Sequence, residues 1–231
     1  MSKKSARKKL SSVTFDVADI VPLTENQGKV FDSKDHLVLC GSAGSGKSFL
    51  ACYLATVALT QKKQSSIVLV RSAVPTRDIG YLPGTDKEKS RVYEEPYFAI
   101  FSEILQRGDA YDLIKQKDIL YFRTTSYLRG LTLRNCTIIV DECQNMTFHE
   151  LDSLVTRVGE GCRIIFCGDF KQSDLKDNGL KGFLKVLDTM DSFDIIEFGV
   201  EDIVRSGFVK DYIKAKEAVE AKRLKPVKKA V

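Results

Sequence analysis

The feature that most constrains this 231-residue chain is the segment Gly41-Ser-Ala-Gly-Ser-Gly-Lys-Ser48, which matches the pattern G-x-x-x-x-G-K-[ST]. An apolar run at 37–40 precedes it, and a helical pattern at 47–63 follows it. Glycines at these spacings let successive backbone N–H groups turn towards phosphate oxygens, and a helix N-terminus adds partial positive charge. In this strand–loop–helix context the motif predicts a phosphate-binding loop in an α/β fold.

The loop combines backbone donors with two side chains of defined chemistry. Lys47 is expected to reach the β- and γ-phosphates of a nucleotide, and the Ser48 hydroxyl is expected to hold Mg²⁺. The predicted nucleotide-binding residues are Gly41, Ser42, Ala43, Gly44, Ser45, Gly46, Lys47 and Ser48.

The rest of the chain alternates short apolar runs with helical patterns. Strands are predicted at 37–40, 66–70, 119–122, 137–140, 163–167 and 194–198. Helices are predicted at 47–63, 87–107, 147–158, 179–189 and 202–221. Because the strand runs are apolar throughout, they are typical of strands buried on both faces of a parallel sheet. The order predicts a doubly wound, mostly parallel sheet with helices on both faces and ligands at the carboxyl ends of the strands.

The charge distribution divides the chain into a body and two basic ends. The chain has 36 Lys and Arg against 31 Asp and Glu, and the basic excess lies in 1–10 and 210–231. We interpret 1–12 and 222–231 as basic flexible tails on a single domain over 13–221. Basic tails on a mildly acidic body permit contact with nucleic acid without requiring it.

Other protein classes find no support in the sequence. No apolar stretch follows the basic N-terminal residues, and none approaches the length of a membrane span, so we expect a cytoplasmic protein without membrane contact. The six cysteines lie mostly in apolar runs without a C-x-x-C pair, which favours buried thiols in a reducing compartment. Two histidines and no H-E-x-x-H motif argue against a zinc site.

A second polar motif ends the fourth predicted strand, at Asp141-Glu142. Asp141 is expected at the sheet edge beside the phosphate loop, where its carboxylate would hold Mg²⁺ through water. Glu142 is expected to orient or deprotonate an attacking water. Without a phosphate loop such a pair would be an ordinary solvated turn; with one, it favours hydrolysis over transfer to a small acceptor.

A third polar motif, Gly168-Asp-Phe-Lys-Gln172, ends the next predicted strand. Gly168 and Asp169 permit a tight turn at the carboxyl edge, and Gln172 would donate a neutral hydrogen bond to a terminal phosphate. The alternative is a polar turn without a catalytic role.

In this order the three motifs resemble those of the PhoH-like ATPases, relatives of superfamily 1 helicases with a single RecA-like core. Further matching segments are 23–27, 79–84, 127–132, 141–145 and 202–209, so the resemblance spans about 20–215. Cys143 and Phe170 replace the Ala and Pro common in that family, and neither change removes a polar catalytic group.

The resemblance implies a Mg²⁺-dependent ATPase coupled to RNA or single-stranded DNA, in a homo-oligomer that we expect to be a hexamer. It implies that Gln27 reads adenine, although Gln27 also completes a capping box. Arg205 would contact the γ-phosphate, the alternative being a solvated helix charge. Arg71 and Arg129 are candidates for contact with nucleic acid, the alternative being a structural role in their loops.

The predicted catalytic set is Lys47, Glu142, Gln172 and Arg205. Helicase-like enzymes close ATP between two RecA-like domains, so with one such domain we expect a neighbouring subunit to complete the site, with Arg205 as the residue that crosses. Two other functions stay open: a nucleotide-dependent switch that acts through partners and, with less support, a nucleotide kinase.

Overall fold

The computed structural model describes residues 16–72, 86–125, 130, 132–169 and 179–223, with the backbone alone at 86–90 and 220–223. The strands are β1 His36–Gly41, β2 Ser66–Arg71, β3 Leu120–Thr124, β4 Cys136–Val140, β5 Arg163–Gly168 and β6 Phe193–Phe198. The helices are α1 Glu25–Asp32, α2 Lys47–Thr60, α3 Asp86–Ile104, α4 Ala110–Gln116, α5 Phe148–Val155, α6 Leu180–Asp188 and α7 Gly207–Arg223. Single turns of 3₁₀ helix occupy Cys143–Asn145 and Val200–Asp202.

The six strands form one sheet in the order β3-β2-β4-β5-β1-β6, and every strand pairing described is parallel. This confirms the predicted doubly wound, parallel α/β fold. Strand β4 is buried along its whole length, which accounts for its continuous apolar run. Strand β6 is less buried than its sequence indicates, because it lies at the edge of the sheet.

Successive side chains of a strand point to opposite faces of the sheet, so alternate residues pack in two separate hydrophobic cores, one on each face. On one face, Leu37 and Leu39 of β1 pack in a cluster with residues of α2, α3 and α4. On the other face, Val38 of β1 packs with residues of α5 and α6. Helices therefore cover both faces, as the sequence predicts.

The boundaries of several helices differ from the prediction. Helix α3 ends at Ile104, and a separate α4 follows, where one longer helix was expected at 87–107. Helix α1 was not among the predicted helices, although Thr24 caps it by accepting a hydrogen bond from the backbone N–H of Gln27.

The last helix begins at Gly207 rather than at Asp202. The buried carboxylate of Asp202 accepts a hydrogen bond of 2.8 Å from the Gly199 N–H and closes a 3₁₀ turn, which ends before the helix starts. The large apolar side chains of this helix are not buried: Phe208 is 81% exposed and Tyr212 is 64% exposed.

Within the described ranges, no helix is both long enough and apolar enough to cross a membrane. The interpretation of 1–12 and most of 222–231 as basic tails lies outside the described residues.

Candidate active site

The loop between β1 and α2 has a backbone that only glycine adopts readily. Gly41, Gly44 and Gly46 have φ angles of 118°, 82° and 84°. At Gly41 a Cβ atom would also lie 2.0 Å from the Phe198 carbonyl oxygen, so no side chain fits there. Gly46 is the N-cap residue of α2 and has no side chain to cap it, so the first N–H groups of the helix are left for a ligand.

The Lys47 ammonium folds back over its own loop. Its Nζ donates to the carbonyl oxygens of Gly41 and Ser42 at 2.9 and 2.8 Å, and to the Ser45 hydroxyl at 3.3 Å. The cation thus lies beside the concave side of the loop, with neutral oxygens as its partners. These are bonds that it can exchange for the stronger ones to phosphate oxygens.

Burial lowers the pKa of Lys47 below the ordinary lysine value. The carboxylates of Asp169, Glu142 and Asp141 act in the opposite direction and stabilise the charged form. The Lys47 ammonium attracts a polyanion, and the carboxylates beside it attract a cation that accompanies the polyanion.

Asp141, at the end of β4, is held through both carboxylate oxygens. The Ser48 hydroxyl donates to Oδ1 at 2.8 Å, and the Tyr97 hydroxyl donates to Oδ2 at 2.7 Å. Asp141 is 6% exposed and Tyr97 is fully buried. Burial and the nearby Asp141 carboxylate raise the pKa of Tyr97 well above its ordinary value, so Tyr97 remains a donor. Sequence reasoning missed Tyr97, because a tyrosine in the middle of α3 belongs to none of the motifs.

The Ser48–Asp141 pair fits a magnesium site by its chemistry. A hydroxyl and a carboxylate oxygen are ligands that Mg²⁺ takes directly or through water. Across the described part of the chain, no cluster of three or more His, Cys, Asp or Glu side chains could hold a metal alone. An ion at this pair would therefore complete its shell with water and with phosphate oxygens, as Mg²⁺ does in nucleotide sites.

Glu142 has a left-handed backbone, with φ of 53°, which is uncommon for a residue with a side chain. Its Oε2 accepts a hydrogen bond of 2.6 Å from Gln144 Nε2. Gln144 Oε1 in turn accepts one of 3.2 Å from the Asp169 N–H. Gln144 therefore joins the ends of β4 and β5 and fixes Glu142 between them. Its place next to the Asp-Glu pair in the sequence was the only signal for this role.

Close packing at Gly168 supports the same bridge. A Cβ atom at Gly168 would lie 2.6 Å from Cys143 Sγ and 2.7 Å from Gln144 Oε1. Glycine is therefore the residue that allows Gln144 to reach the end of β5.

The Gln27 amide is 4% exposed and lies against the loop. Its Oε1 accepts a hydrogen bond of 2.8 Å from the Leu23 N–H, and its Nε2 donates one of 3.2 Å to the Ser45 carbonyl oxygen. These partners fix the orientation of the amide, because a backbone N–H needs an acceptor and a carbonyl needs a donor. One acceptor site on Oε1 and one hydrogen on Nε2 are not used by these two bonds.

Arg205 follows the 3₁₀ turn after β6 and lies over the loop of its own chain. The Val204 N–H donates to the Gly44 carbonyl oxygen at 3.1 Å. A Cβ atom placed on Gly44 would be 3.2 Å from the Cγ of Arg205. These contacts lie within one chain, and the expectation that Arg205 crosses to a neighbouring subunit stays a prediction.

Helix α7 also touches the loop. The Ser42 hydroxyl donates to Glu217 Oε1 at 3.0 Å. At its first turns the helix is held by Lys210, whose ammonium lies 3.4 Å from the Glu201 carboxylate. None of the α7 side chains described is buried.

Of the two arginines predicted to contact nucleic acid, the structure describes Arg71. It ends β2, lines the cleft, and donates from Nη1 to the Tyr93 carbonyl oxygen at 3.3 Å. Arg129 and the predicted catalytic residue Gln172 lie outside the described residues.

These groups line one cleft of about 720 Å³ at the carboxyl edge of the sheet. Its polar part contains Lys47, Ser48, Asp141 and Glu142, with Gln27, Arg71 and Arg205 around it. Its apolar part is formed by Ile20, Val21, Leu23, Phe49, Pro96 and Ile100. A cleft lined by both charged and apolar side chains suits a ligand that has both kinds of group, such as a nucleotide.

Relatives of known sequence share the name of one family. A PhoH-like protein of Mycobacterium leprae is 30% identical over 201 residues, which cover 84% of this chain and 57% of that protein. A PhoH-like protein of Bacillus subtilis is 34% identical over 179 residues, covering 76% and 56%. Protein PhoH of Escherichia coli is 32% identical over 183 residues, covering 77% and 52%. The chain thus spans just over half the length of these relatives.

Two solved structures from bacteriophages also match. The large terminase of a thermophilic bacteriophage covers 84% of this chain and 50% of its own, with a TM-score of 0.48 and 12% identity. The UvsW helicase of bacteriophage T4 covers 86% and 68%, with a TM-score of 0.43 and 16% identity. Both scores are too low for either likeness to support a statement about this chain.

A family model also matches most of the chain. The model described as "PhoH-like protein" matches residues 19–217. That range includes every residue that lines the cleft, from Ile20 to Arg205. This chain therefore belongs to the PhoH-like protein family.

Proposed function

We propose that this protein is a Mg²⁺-dependent ATPase that acts with RNA or single-stranded DNA. The observation that carries the proposal is the hydrogen bond of 2.8 Å between Ser48 of the loop and Asp141 of β4, with Glu142 as the next residue. It joins a phosphate-binding loop, a metal-binding pair and a candidate base in one cleft.

Phosphate binding would begin with an exchange of partners at Lys47. Its ammonium leaves the carbonyl oxygens of Gly41 and Ser42 and binds the β- and γ-phosphate oxygens instead. The N–H groups at the start of α2 add donors and the positive end of the helix dipole.

Ser48 and Asp141 would hold the metal. Mg²⁺, when bound, supplies positive charge to the β- and γ-phosphate oxygens. Tyr97 keeps the Asp141 carboxylate in place through its bond of 2.7 Å to Oδ2, so Tyr97 is a positioning residue.

Glu142 would accept a proton from the attacking water. Gln144 donates to Oε2 of Glu142, so Oε1 would be the oxygen that accepts the proton. Because Gln144 is itself fixed by the Asp169 N–H, the base is oriented before a substrate arrives. Arg205, which lies over the same loop, would stabilise the negative charge that develops on the γ-phosphate.

The base of the nucleotide would contact apolar side chains that line the cleft. Val21 and Leu23 are exposed there and would be covered by the ring. The acceptor and the hydrogen that Gln27 has left match the N6 amino group and N7 of adenine, which favours ATP over GTP.

Contact with nucleic acid rests on charge and on one described side chain. Arg71 lies at the carboxyl edge of the sheet and lines the nucleotide cleft. The basic excess at 1–10 and 210–231 provides further cations for phosphates. A homo-oligomer, a domain over 13–221 and a cytoplasmic location remain predictions from the sequence.

The proposal is tested by phosphate release from ATP, with and without RNA or single-stranded DNA. Replacing Glu142 with Gln should leave nucleotide binding intact and lower turnover about 100-fold or more, which is the range for a positioned acid–base group. Glu160→Gln, at an exposed position near the start of β5, is the matched control and should turn over normally. Normal turnover by the Glu142→Gln protein would remove the assigned base, and no turnover by the wild type under any of these conditions would refute the ATPase.

A further inference from the structure

Two cysteines meet at the end of the sheet opposite the nucleotide cleft. Cys136 begins β4, and Cys162 immediately precedes β5. Because the next residues, Thr137 and Arg163, are paired in register, the two cysteines lie side by side. Their Sγ atoms are 3.5 Å apart.

The two thiols differ in their access to solvent. Cys136 is 2% exposed and packs in the core on the α5 and α6 face of the sheet. Cys162 is only partly buried. The other four cysteines, Cys40, Cys52, Cys143 and Cys167, are buried. A reagent in solution therefore meets Cys162 first.

The hydrogen bond between the thiols also shifts their pKa values in opposite directions. The hydrogen bond with Cys136 lowers the pKa of Cys162, and burial of Cys162 acts against this shift. The same hydrogen bond, together with burial, raises the pKa of Cys136. The accessible sulfur is thus the one that forms a thiolate more readily, and the thiolate is the nucleophile in thiol–disulfide exchange.

We propose that Cys136 and Cys162 form a redox-active dithiol whose substrates are low-molecular-weight disulfides of the glutathione type. Cys162 is the attacking residue and Cys136 the resolving residue. The inference rests on the geometry of the pair and does not depend on the proposed ATPase activity.

The exchange balances in two steps. The Cys162 thiolate attacks one sulfur of the small disulfide, the S–S bond of that disulfide breaks, and one small thiolate leaves. That thiolate takes the proton of Cys136. The Cys136 thiolate then attacks Cys162 Sγ, the mixed disulfide breaks, and the second small thiolate leaves. The second small thiolate takes a proton from water, which balances the proton that Cys162 released to water on forming its thiolate. The protein loses two electrons, and the small disulfide is reduced to two thiols.

The protein disulfide requires a short movement. An S–S bond is about 2.05 Å long, so the sulfurs must approach by about 1.5 Å. Cys162 is outside β5 and follows Gly161, whose φ is 72°, in a turn closed by the bond from the Cys162 N–H to the Gly159 carbonyl oxygen. The sulfur that must move is therefore on the turn, and the one on the strand remains in place.

The test uses the full chain and oxidised glutathione. After incubation, acid quenching and alkylation in denaturant, we expect the wild type to lose two of its six thiols and to yield a peptide pair joined through Cys136 and Cys162. Dithiothreitol should restore all six. In Cys136→Ser, Cys162 should accumulate as the mixed disulfide with glutathione; in Cys162→Ser, neither adduct nor crosslink should form.

Three results would overturn the proposal. They are a wild type that keeps all six thiols, one that stops at the glutathione adduct of Cys162, and a crosslink that involves a different cysteine. Circular dichroism of both serine variants shows whether they are folded, and the wild-type peptide map decides the question without them.

Discussion

At the scale of single residues, the chemistry of the site depends on side chains that hold other side chains. Asp141 accepts hydrogen bonds from Ser48, which belongs to the phosphate-loop motif, and from Tyr97, which belongs to no motif. Glu142 is likewise oriented by Gln144. The motif residues follow from the sequence because their spacing is local. Tyr97 does not, because its contact with Asp141 spans 44 positions and exists only once α3 has packed on the sheet.

Tyr97→Phe tests the outer contact of Asp141. It removes one hydroxyl and keeps the buried ring, so we expect the Mg²⁺ concentration for half-maximal ATP turnover to rise about 10–100-fold, the usual cost of losing a group that orients a metal ligand. Tyr111→Phe is the matched control, because Tyr111 also donates to a buried carboxylate, Glu94 at 2.6 Å, but that carboxylate, unlike Asp141, does not line the cleft. An unchanged Mg²⁺ requirement in Tyr97→Phe would contradict the positioning role.

Lys47 predicts a dependence of nucleotide binding on pH. Burial lowers its pKa, so on raising the pH Lys47 loses its proton earlier than an ordinary lysine. Phosphate binds the protonated form, so affinity for a non-hydrolysable ATP analogue should fall as the pH rises through the lowered pKa. Fluorescence titrations over a pH series measure this. Lys47→Arg should flatten the alkaline fall, because a guanidinium stays charged. An equal fall in both proteins would show that another group titrates.

At the scale of elements, the six strands follow from the sequence because each is a short apolar run, and the structure confirms all six. The helices are less well predicted. The sequence signal for α1 is the capping pair Thr24 and Gln27, which is an alternative to adenine recognition by Gln27. In the structure, Gln27 contacts both the start of the helix and the phosphate loop. The short α4 has seven residues, and it depends on packing against α3.

The ends of β4 and β5 form a rigid unit through Gln144, and Gly168→Ala tests it. The new methyl group would overlap Cys143 Sγ and Gln144 Oε1, so Gln144 must move away from Glu142. We expect turnover to fall at least about 10-fold, within the range for positioned acid–base groups, with little change in nucleotide affinity. Gly182→Ala in α6, where a Cβ meets nothing within 4 Å, should be as active as wild type. A loss of affinity equal to the loss of turnover would place the damage in the phosphate loop instead.

At the scale of the whole molecule, the position of Arg205 sets what subunit mixing should show. Arg205 lies over the loop of its own chain, and if it acts there, Glu142 and Arg205 of the same subunit would work together. A mixture of Glu142→Gln and Arg205→Ala proteins should therefore remain inactive in phosphate release. Wild type mixed with Glu142→Gln, each with a different mass tag, shows by native mass spectrometry whether subunits exchange. Recovered activity in the exchanging mixture would show that Arg205 acts between subunits.

The contact between Ser42 and Glu217 would couple helix α7 to occupancy of the loop. If nucleotide phosphates bind in the loop, they and the Glu217 carboxylate beside Ser42 would be like charges that repel across a few ångströms. Attachment of α7 and binding of nucleotide would then oppose each other, and by reciprocity each would weaken the other by the same factor. None of the described α7 side chains is buried, so the free energy needed to detach the helix should be small. Helix α7 would therefore respond to whether the loop is occupied.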